Sequence, residues 1–490
     1  MIIRQLFHLD SSSEQSLQKQ IVEQIVAAIV RGHIPVDKPL PPSRALASQL
    51  GVARNTVTLA YYRLKDEGYL ISKERSGFFV NPSAIEEHAV APVMHATTGI
   101  SNAPDWQSRN LRNPGLQRNI KKPSDWQSYP YPFIYGQVDY DLFPTHQWRE
   151  CCRDAASVGA TKDWVDDHFE CDDKLLIEQV RQHLLPRRGV WANPNEIMIT
   201  VGAQQALYMI SSLFFGATRT VGLEDPGYVD VRNIAKLHGA KTIPLPVDEQ
   251  GLVVSHKVTD CDYVYVTPSH QSPTTVTLPL ERRYQLLDLA AQSDVVLIED
   301  DYESEIAFLS TPTPALKSLD KCDRVIYVGS MSKTLAPGLR IGYLVAPAEV
   351  IAELRALRRL MLRHPAANNQ RSAAIFIARG YYDSLRRQLV SAYEERCHTM
   401  VQALEQYLPD FKQTLGHGAS SIWLEGCRDF DSRKLSKLAR EQGVLIEPGD
   451  IHFLASDPPL NYFRLGYSSI ANDKIEPGIE CLSRLIEELV

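Results

Sequence analysis

The chain has 490 residues, 44% of them hydrophobic, and a formal net charge of −7, which is too long for one ordinary domain of ~100–200 residues. No apolar run approaches the ~20 residues that cross a bilayer, and the N-terminus lacks a signal-peptide pattern, so we expect a cytoplasmic protein without a membrane span. The eight cysteines are scattered without metal-ligand spacing, so we expect reduced thiols and no metal site.

The first predicted elements form a helix-turn-helix followed by a hairpin. Residues 16–31 place an aliphatic side chain at every fourth position, which predicts an amphipathic helix. Residues 44–50 and 54–67 predict two further helices, separated by the short turn Gly51-Val52. This is helix-turn-helix spacing, in which the second helix enters the major groove of DNA. Residues 70–80 predict a hairpin that serves as a wing.

Charge and polar side chains in this segment favour DNA binding over a plain helical packing module. Residues 1–80 carry a net charge of +3, which leaves −10 for the rest of the chain. A basic segment on an acidic body confines phosphate contacts to the small domain. Because the excess of positive charge is small, a single domain should bind DNA only modestly, and we expect two copies of the protein to bind DNA together. The candidate DNA-binding residues are Arg44, Arg54, Asn55, Thr56, Thr58 and, in the wing, Gly77.

A proline-rich segment separates this region from the rest of the chain. Residues 82–130 contain six prolines and few aliphatic side chains, so a packed element is not expected there. We therefore predict a DNA-binding domain over residues 1–81, a linker over residues 82–130 and a large domain over residues 131–490.

The large domain opens with a strand, a glycine turn and a helix over residues 196–207. The start of that helix, at Ala203 and Gln204, offers free amides and the positive end of a helix dipole to a phosphate. An ordinary helix start is the alternative interpretation. Tyr228 follows a tight turn and can present its ring to a flat ligand, although simple packing explains it equally well.

A buried strand over residues 294–298 ends in carboxylates. Carboxyl ends of strands in α/β proteins point into the ligand crevice. Asp300 can therefore pair with a protonated ring nitrogen, and Tyr302 can reach an oxygen on the same ring. Asp301 is the structural alternative, because successive side chains of a strand face opposite sides.

The most informative stretch is residues 329–343, which follows another apolar strand. Lys333 lies in a serine-rich turn and Arg340 follows seven residues later across a Pro-Gly bend. A lysine amine forms a Schiff base with an aldehyde, while Ser330, Ser332 and Arg340 can hold a phosphate. Together with the upstream motifs, in one order and with distinct roles, these residues predict a pyridoxal 5'-phosphate (PLP) site with Lys333 as the Schiff-base lysine.

The motifs resemble a known family. From about Tyr131 onward the chain is similar to fold-type I aminotransferases, and residues 268–271, 298–302 and 332–340 resemble the MocR branch of the GntR regulators. Residues 41–57 resemble the GntR helix-turn-helix pattern. The resemblance implies a multidomain protein: a small α+β winged helix-turn-helix plus a large α/β fold-type I PLP-dependent aminotransferase-like domain.

The resemblance also implies further partners and residues. Arg464 matches the aminotransferase arginine that binds a substrate carboxylate. A strand-end arginine in a surface ion pair is the alternative interpretation. Fold-type I enzymes build their sites at a subunit interface, so we expect a homodimer in which each small domain contacts one half-site. Two segments depart from the family pattern, residues 166–173 and residues 273–275, and we expect both to lie near the pocket.

Two functions follow from these features. The first is a transcriptional regulator that binds a double-stranded DNA operator and senses a small amine or amino-acid effector, or PLP itself, through the Lys333 aldimine. The alternative is an active PLP-dependent aminotransferase with an accessory DNA-binding domain. The winged helix favours the regulator, because catalysis does not need it; residual or partial aminotransferase chemistry stays open.

Overall fold

The computed structural model describes residues 9–10, 13, 15–36, 38–73, 76–86, 104–303, 305–306, 308, 313–416 and 418–489. The chain divides into two units, Met1–Arg109 and Asn110–Val490. Residues 110–130 of the predicted linker therefore make their contacts within the second unit.

The small unit contains the predicted winged helix-turn-helix. Its elements are α1 (Leu17–Val30), α2 (Ser43–Leu50), α3 (Arg54–Asp66), β1 (Leu70–Lys73) and β2 (Gly77–Val80). The two strands pair antiparallel and form the predicted wing. Two short helices follow, α4 (Pro82–Glu86) and α5 (Trp106–Arg109).

Aliphatic side chains spaced four apart on α1 create the core of this unit. Ile21, Ile25 and Ile29 are fully buried and belong to one cluster with Val57 and Leu64 of α3. Burial of such side chains stabilises a small helical unit by about 1.5–3 kcal/mol for each.

One predicted boundary in this unit is wrong by a residue. Helix α2 begins at Ser43, one residue before the predicted start, and Pro42 occupies its N-cap position without a side-chain cap. Proline brings no side-chain acceptor to that position, whereas Ser16 caps α1 by accepting from the amide of Lys19.

The large unit begins with peripheral elements: β3 (Tyr131–Pro132), α6 (Thr145–Ala155), α7 (Val158–Thr161) and α8 (Lys174–Gln179). A central sheet follows. Its strands are β4 (Ile197–Thr200), β5 (Thr220–Asp225), β6 (Lys241–Asp248), β7 (Gly251–Leu252), β8 (Tyr263–Val266), β9 (Val296–Asp301), β10 (Val325–Ser330) and β11 (Gly342–Val345).

The strand order of the central sheet, within the described residues, is β4-β11-β10-β9-β8-β5-β6-β7. Strands β6, β5, β8, β9 and β10 run parallel, and β11 is antiparallel to both of its neighbours. The register pairs Val328 with Asp300 and Thr200 with Gly342. Asp300, Ser330 and the turn after Thr200 therefore meet at one edge of the sheet.

Helices cover both faces of this sheet, as expected for an α/β domain. The covering helices are α9 (Gly202–Phe214), α10 (Val229–Leu237), α11 (Leu280–Gln292), α12 (Leu316–Leu319) and α13 (Ala348–Leu362). On β10, Ile326 and Val328 pack into one hydrophobic cluster and Tyr327 into another. This alternation is the sign of a strand buried on both faces.

The remaining chain adds two helices, a second sheet and a small parallel pair. Its elements are α14 (Ala367–Ala378), α15 (Tyr381–Tyr407), β12 (Lys412–Thr414), β13 (Ser421–Glu425), α16 (Ser432–Glu441), β14 (Val444–Leu445), β15 (Glu447–Pro448), β16 (Tyr462–Gly466) and α17 (Ile475–Glu487). The second sheet has the order β12-β13-β16-β15, and β14 pairs with β3.

Two expectations from composition can be compared with the structure. All eight cysteines are free thiols. In the part of the chain that the structure describes, every helix is too short or too polar to cross a membrane.

Candidate functional site

A cavity of about 420 Å³ opens at the edge of the central sheet where β9 and β10 end. Every residue that we predicted for the cofactor and for the effector carboxylate lines it: Ala203, Gln204, Tyr228, Asp300, Tyr302, Ser330, Ser332, Lys333, Arg340 and Arg464. Residues from four sequence motifs and from the C-terminal sheet are thus brought together in one place.

One end of this cavity has the donors that a phosphate group requires. Helix α9 begins at Gly202 without a side-chain cap, which leaves its first amides and its positive dipole end free. The guanidinium of Arg340 donates to the carbonyl of Val201 at 3.0 Å. A Cβ on Gly202, whose φ is +71°, would lie 3.0 Å from Arg340 Nη2. Only glycine therefore lets the arginine approach the helix start so closely.

Two serines extend this phosphate cradle. The amide of Ser332 donates to the hydroxyl of Ser330 at 3.2 Å. Ser332 Oγ is buried and has no hydrogen-bond partner among the described residues. A buried hydroxyl without a partner costs free energy, and an anion in the cradle would remove that cost.

Lys333 projects into the cavity from the turn after β10. Its Nζ lies 4.0 Å from the centre of the Tyr135 ring. Burial lowers the pKa of Lys333 to about 7, although the carboxylate of Glu303 opposes the shift. A large fraction of this lysine is consequently a neutral amine near pH 7, which is the form that attacks an aldehyde.

The two neighbouring aspartates of β9 lie in different surroundings. Asp300 Oδ2 accepts from Tyr265 Oη at 2.7 Å, while its Oδ1 is buried without a partner in the described structure. Burial raises the pKa of Asp300 to about 7. Asp301 faces away from the cavity and forms a 2.7 Å ion pair with Arg188; although burial opposes the shift, that guanidinium lowers the pKa of Asp301.

The aromatic residues at the site are also fixed by contacts. The hydroxyl of Tyr228 lies 2.9 Å from Gln204 Oε1 and 3.0 Å from Asp230 Oδ2. The Tyr302 and Tyr135 rings pack edge to face with centroids 6.5 Å apart. The two predicted tyrosines, Tyr228 and Tyr302, are therefore held in position by protein partners.

Arg464 already has a carboxylate partner within the protein. Its guanidinium donates to Glu447 of the adjacent strand β15, and Glu447 also contacts His452 Nε2 at 3.0 Å. Although burial opposes ionisation, Arg464 and His452 hold the pKa of Glu447 well below its usual range. A carboxylate ligand would share or displace this internal ion pair.

Sequence reasoning missed several residues of the cavity wall. Asn119, Ile120 and Lys122 come from the predicted linker, and Tyr135 and Gly136 come from the start of the large domain. The sequence around these residues shows no periodicity or motif that could have indicated the cavity. Long-range contacts set their position in the cavity wall.

The two segments that depart from the family pattern contribute no residue to the cavity wall. Asp172 is buried and pairs with Arg358 at 2.6 Å, so its role is structural. Thr275 adopts a φ of +66°, a strained value for a β-branched residue. Its hydroxyl accepts from the amide of Gly416 at 3.0 Å, which supports that conformation.

The predicted DNA-binding residues lie on the small unit. Arg44, Arg54, Asn55 and Gly77 are exposed, and Thr56 and Thr58 are half-buried. In the described part of this unit neither Arg44 nor Arg54 forms an ion pair, whereas Lys19 and Arg63 each pair with a glutamate. The hairpin turn at residues 74–75 lies outside the described residues.

Comparison with known families matches both units. Residues 165–482 match the family described as aminotransferase class I and II. Residues 17–80 match the family described as bacterial regulatory proteins, gntR family.

Curated relatives align with most or nearly all of the chain. The HTH-type transcriptional regulator TauR of Rhodobacter capsulatus is 40% identical over 98% of each chain. The probable rhizopine catabolism regulatory protein MocR of Rhizobium meliloti is 30% identical, covering 97% of this chain and 94% of its own. The HTH-type pyridoxine biosynthesis transcriptional regulator PdxR of Corynebacterium glutamicum is 32% identical over 79% of each.

Solved structures match the large unit. The Pyrococcus horikoshii kynurenine aminotransferase, in complex with PMP, superposes with a TM-score of 0.72 at 27% identity, covering 78% of this chain and 98% of its own. LysN, the alpha-aminoadipate aminotransferase of Thermus thermophilus, gives 0.71 at 25% identity, covering 79% and 99%. The chain therefore belongs to the MocR subfamily of GntR transcriptional regulators, in which a winged helix-turn-helix is joined to a fold-type I aminotransferase-like domain.

Proposed function

We propose that the large unit binds PLP through Lys333 and uses it to sense a small amine or amino acid, and that this event changes the affinity of the small units for an operator. The observation that carries the proposal is the convergence of ten separately predicted residues on one cavity. Related structures bind ligands of this class: the kynurenine aminotransferase holds PMP, and LysN holds N-(5'-phosphopyridoxyl)-L-leucine.

The polar atoms without partners suit such a cofactor at both ends. Asp300 Oδ1 would accept a hydrogen bond from the ring nitrogen, and Ser332 Oγ would donate to the phosphate. Arg340 and the start of α9 would supply the remaining positive charge. When bound, the cofactor supplies an aldehyde that reacts with amines and an absorbance band that reports the reaction.

The same proposal assigns the division of the chain and its assembly. Residues 1–81 would bind DNA, residues 82–130 would connect the domains, and residues 131–490 would bind the cofactor and effector. Arg44, Arg54, Asn55, Thr56, Thr58 and Gly77 would contact the operator. A homodimer would bring two small units to two half-sites, and light scattering of the cofactor-loaded protein with and without DNA tests this arrangement.

The decisive experiment measures both ligands on one protein. A DNA site selected from a random pool by the cofactor-loaded protein serves as the operator. A panel of amines and amino acids is then screened for changes in cofactor absorbance, and operator affinity is measured with and without each active compound. If an effector changes the affinity of the protein for the operator by some factor, the operator must change the affinity of the protein for that effector by the same factor.

The outcomes separate the regulator from the enzyme. We expect at least one compound to change both absorbance and operator affinity, and the Lys333→Ala variant to bind the operator without responding. If compounds that change the absorbance leave operator affinity unchanged, the sensor proposal is wrong. Product formation with a keto-acid acceptor would then identify an aminotransferase.

A further inference from the structure

The cavity aspartate Asp300 accepts a hydrogen bond from a tyrosine of the neighbouring strand β8. The register of these parallel strands pairs Tyr265 with Ile298, and both side chains pack into the same hydrophobic cluster. Asp300 lies two residues after Ile298 and therefore on the same face of β9. Tyr265 is buried, and its hydroxyl donates to Asp300 Oδ2 at 2.7 Å. This distance is typical of a hydrogen bond from a hydroxyl.

The opposite face of β9 repeats this arrangement with the other neighbouring strand. Tyr327 of β10 is paired in register with Glu299, two residues before Asp301. Its buried hydroxyl donates to Asp301 Oδ2, also at 2.7 Å. Tyr327 packs into a different hydrophobic cluster from Tyr265, as expected for opposite faces of one sheet. Each of the two adjacent aspartates therefore receives one tyrosine hydroxyl.

The two carboxylates differ in their remaining partners. Asp301 is also paired with the guanidinium of Arg188 and does not line the cavity. Asp300 lines the cavity, and among the described residues it forms no ion pair and its Oδ1 has no hydrogen-bond partner. The Tyr265 hydroxyl is therefore the one donor that the described part of the chain gives to the Asp300 carboxylate.

Several charged and titratable groups act on Asp300 besides this hydroxyl. Burial raises the pKa of Asp300 to about 7, and the Tyr265 hydrogen bond opposes that shift. The charge of Asp301 on the same strand raises the pKa of Asp300 further. Near pH 7 the carboxyl group is therefore present in both forms, and a donated hydrogen bond favours the ionised one. The groups of other elements whose charges interact with Asp300 are Glu224 of β5, Tyr228 before α10, Tyr302 after β9 and Lys333 after β10.

We infer that Tyr265 is a positioning residue for the cofactor: its hydroxyl occupies Oδ2 of Asp300, leaves Oδ1 for the ring nitrogen and favours the carboxylate form that pairs with a protonated ring. The inference rests on the proposed function, because it takes Asp300 as the partner of that nitrogen. Tyr265 does not line the cavity and acts through Asp300.

The test uses two cofactors and two matched variants. Tyr265→Phe removes the hydroxyl from Asp300, and Tyr327→Phe removes the equivalent hydroxyl from Asp301. The probes are PLP and 1-deaza-PLP, in which a carbon atom replaces the ring nitrogen. Dissociation constants are measured on the full chain by equilibrium dialysis between about pH 6 and 9, which brackets the titration of Asp300. Urea unfolding of the apoproteins reports the stability of each variant.

At the acidic end of this range we expect Tyr265→Phe to bind PLP about 10- to 100-fold more weakly than wild type, as for the loss of a hydrogen bond to a charged group. Loss of the donor raises the pKa of Asp300 further, so the pH dependence of PLP affinity should move up by about one to two units. Affinity for 1-deaza-PLP should stay unchanged, because that ring has no nitrogen to pair with Asp300. Tyr327→Phe should bind both cofactors like wild type and lose stability instead.

A double-mutant cycle keeps the test decisive if Tyr265→Phe is itself less stable. In the Asp300→Asn background, Tyr265→Phe should cause no further loss of PLP affinity, because the carboxylate through which the hydroxyl acts is gone. A further loss as large as in the wild-type background overturns the inference.

The remaining outcomes separate the inference from the function on which it rests. Equal losses of PLP affinity in Tyr265→Phe and Tyr327→Phe overturn the inference, and so does a loss in Tyr265→Phe that is equal for PLP and 1-deaza-PLP. If wild type holds PLP at Lys333 but Tyr265→Phe binds it with unchanged affinity, the inference alone is wrong. If wild type binds no PLP, the proposed function is wrong and the inference is wrong with it.

Discussion

The small unit and the interior of the large unit differ in how their arginine charges are compensated. Arg44 and Arg54 of the small unit are exposed and form no ion pair within its described part. In the large unit Arg188 and Arg464 are buried and each is paired with a carboxylate. DNA would supply the missing counter-charges of the first pair, whereas a buried charge must be compensated within the protein.

This difference predicts how the two regions respond to substitution. An exposed arginine without protein partners can be removed with little effect on folding. A buried arginine or aspartate holds structure as well as function, since removing one partner leaves the other charge unpaired. Each prediction below tests one side of this contrast.

The largest expected effect concerns the lysine that we assign to the cofactor. Lys333→Ala should abolish the absorbance band of the lysine-linked cofactor, because we assign that bond to Lys333. Operator binding should persist, since Arg44 and Arg54 lie in a separate unit. Absorbance spectra and a DNA mobility shift check both statements; an unchanged spectrum would show that another residue carries the cofactor.

Replacing either of the two aspartates of β9 should affect the protein in a different way. Asp301→Ala should destabilise the large unit by about 3–5 kcal/mol, because it leaves Arg188 buried without its ion-pair partner. Asp300→Ala should leave more of the stability intact but weaken cofactor retention far more than Asp301→Ala does. Urea unfolding of the apoprotein and dialysis of the loaded protein measure the two effects. The reverse ranking in dialysis would mean that Asp301 faces the ring.

The next largest effect is expected for an exposed arginine of the small unit. Arg54→Ala should weaken operator binding by about 1–3 kcal/mol if its guanidinium contacts a guanine edge, without changing the cofactor spectrum. Arg63→Ala is the matched control on the same helix, because Arg63 is already paired with Glu67 at 2.7 Å. Equal losses in both variants would indicate a general electrostatic effect rather than a contact by Arg54.

The pH dependence of cofactor attachment tests the effect of burial on Lys333 in the large unit. Because burial lowers the pKa of Lys333 to about 7, the rate at which apoprotein takes up PLP should rise about tenfold per pH unit below 7 and level off above it. An ordinary lysine would continue to gain reactivity up to about pH 10.4. Stopped-flow absorbance distinguishes the two when it is measured on the wild type and on Asp300→Asn, which removes a cavity-lining carboxyl group that also has a pKa of about 7.

The same pKa shift has a consequence for stability with a definite sign. Between pH 7 and 10.5 the unfolded chain binds a proton at Lys333 that the folded apoprotein does not. The contribution of this lysine to the free energy of unfolding therefore increases with pH across that window. Lys333→Met should remove this component of the pH dependence.

The part of the site that sequence could predict is local in the chain. Ser330, Ser332, Lys333 and Arg340 lie within one turn and bend after β10, so strand-end rules and residue chemistry suffice to group them. Asp300 follows from the same rule on the neighbouring strand, since the register pairs it with Val328.

The part that sequence could not predict depends on distant contacts. Lys122 lines the cavity but lies in a proline-rich stretch without periodicity. Gln117 and Asn119, close to it in the chain, form hydrogen bonds with Asn233, more than a hundred residues away. The pairing of Arg464 with Glu447 depends on the register of β15 against β16. Resemblance to aminotransferases gave Arg464 a ligand role but said nothing of an internal partner.

The smallest predicted effect concerns the helix that carries Arg54. Helix α3 begins after Ala53, whose backbone is extended but whose side chain cannot cap the helix. Ala53→Ser should supply a hydroxyl to the free amides and stabilise α3 by about 0.5–2 kcal/mol. Hydrogen exchange of the α3 amides in the full-length chain measures this locally, and Ala53→Val, which also lacks an acceptor and is a poor N-cap residue, is the control.

The same substitution tests whether operator binding by the small unit is limited by the stability of α3 or by the contacts that α3 makes with DNA. If the loss of a cap leaves the start of α3 frayed, Ala53→Ser should slow exchange there and tighten operator binding by ordering Arg54 before contact. If the helix start is already rigid, exchange should slow without any change in operator affinity. Slower exchange accompanied by weaker binding would mean that the start of α3 must change conformation to contact DNA, and the description of Arg54 as a preformed exposed contact would then be wrong.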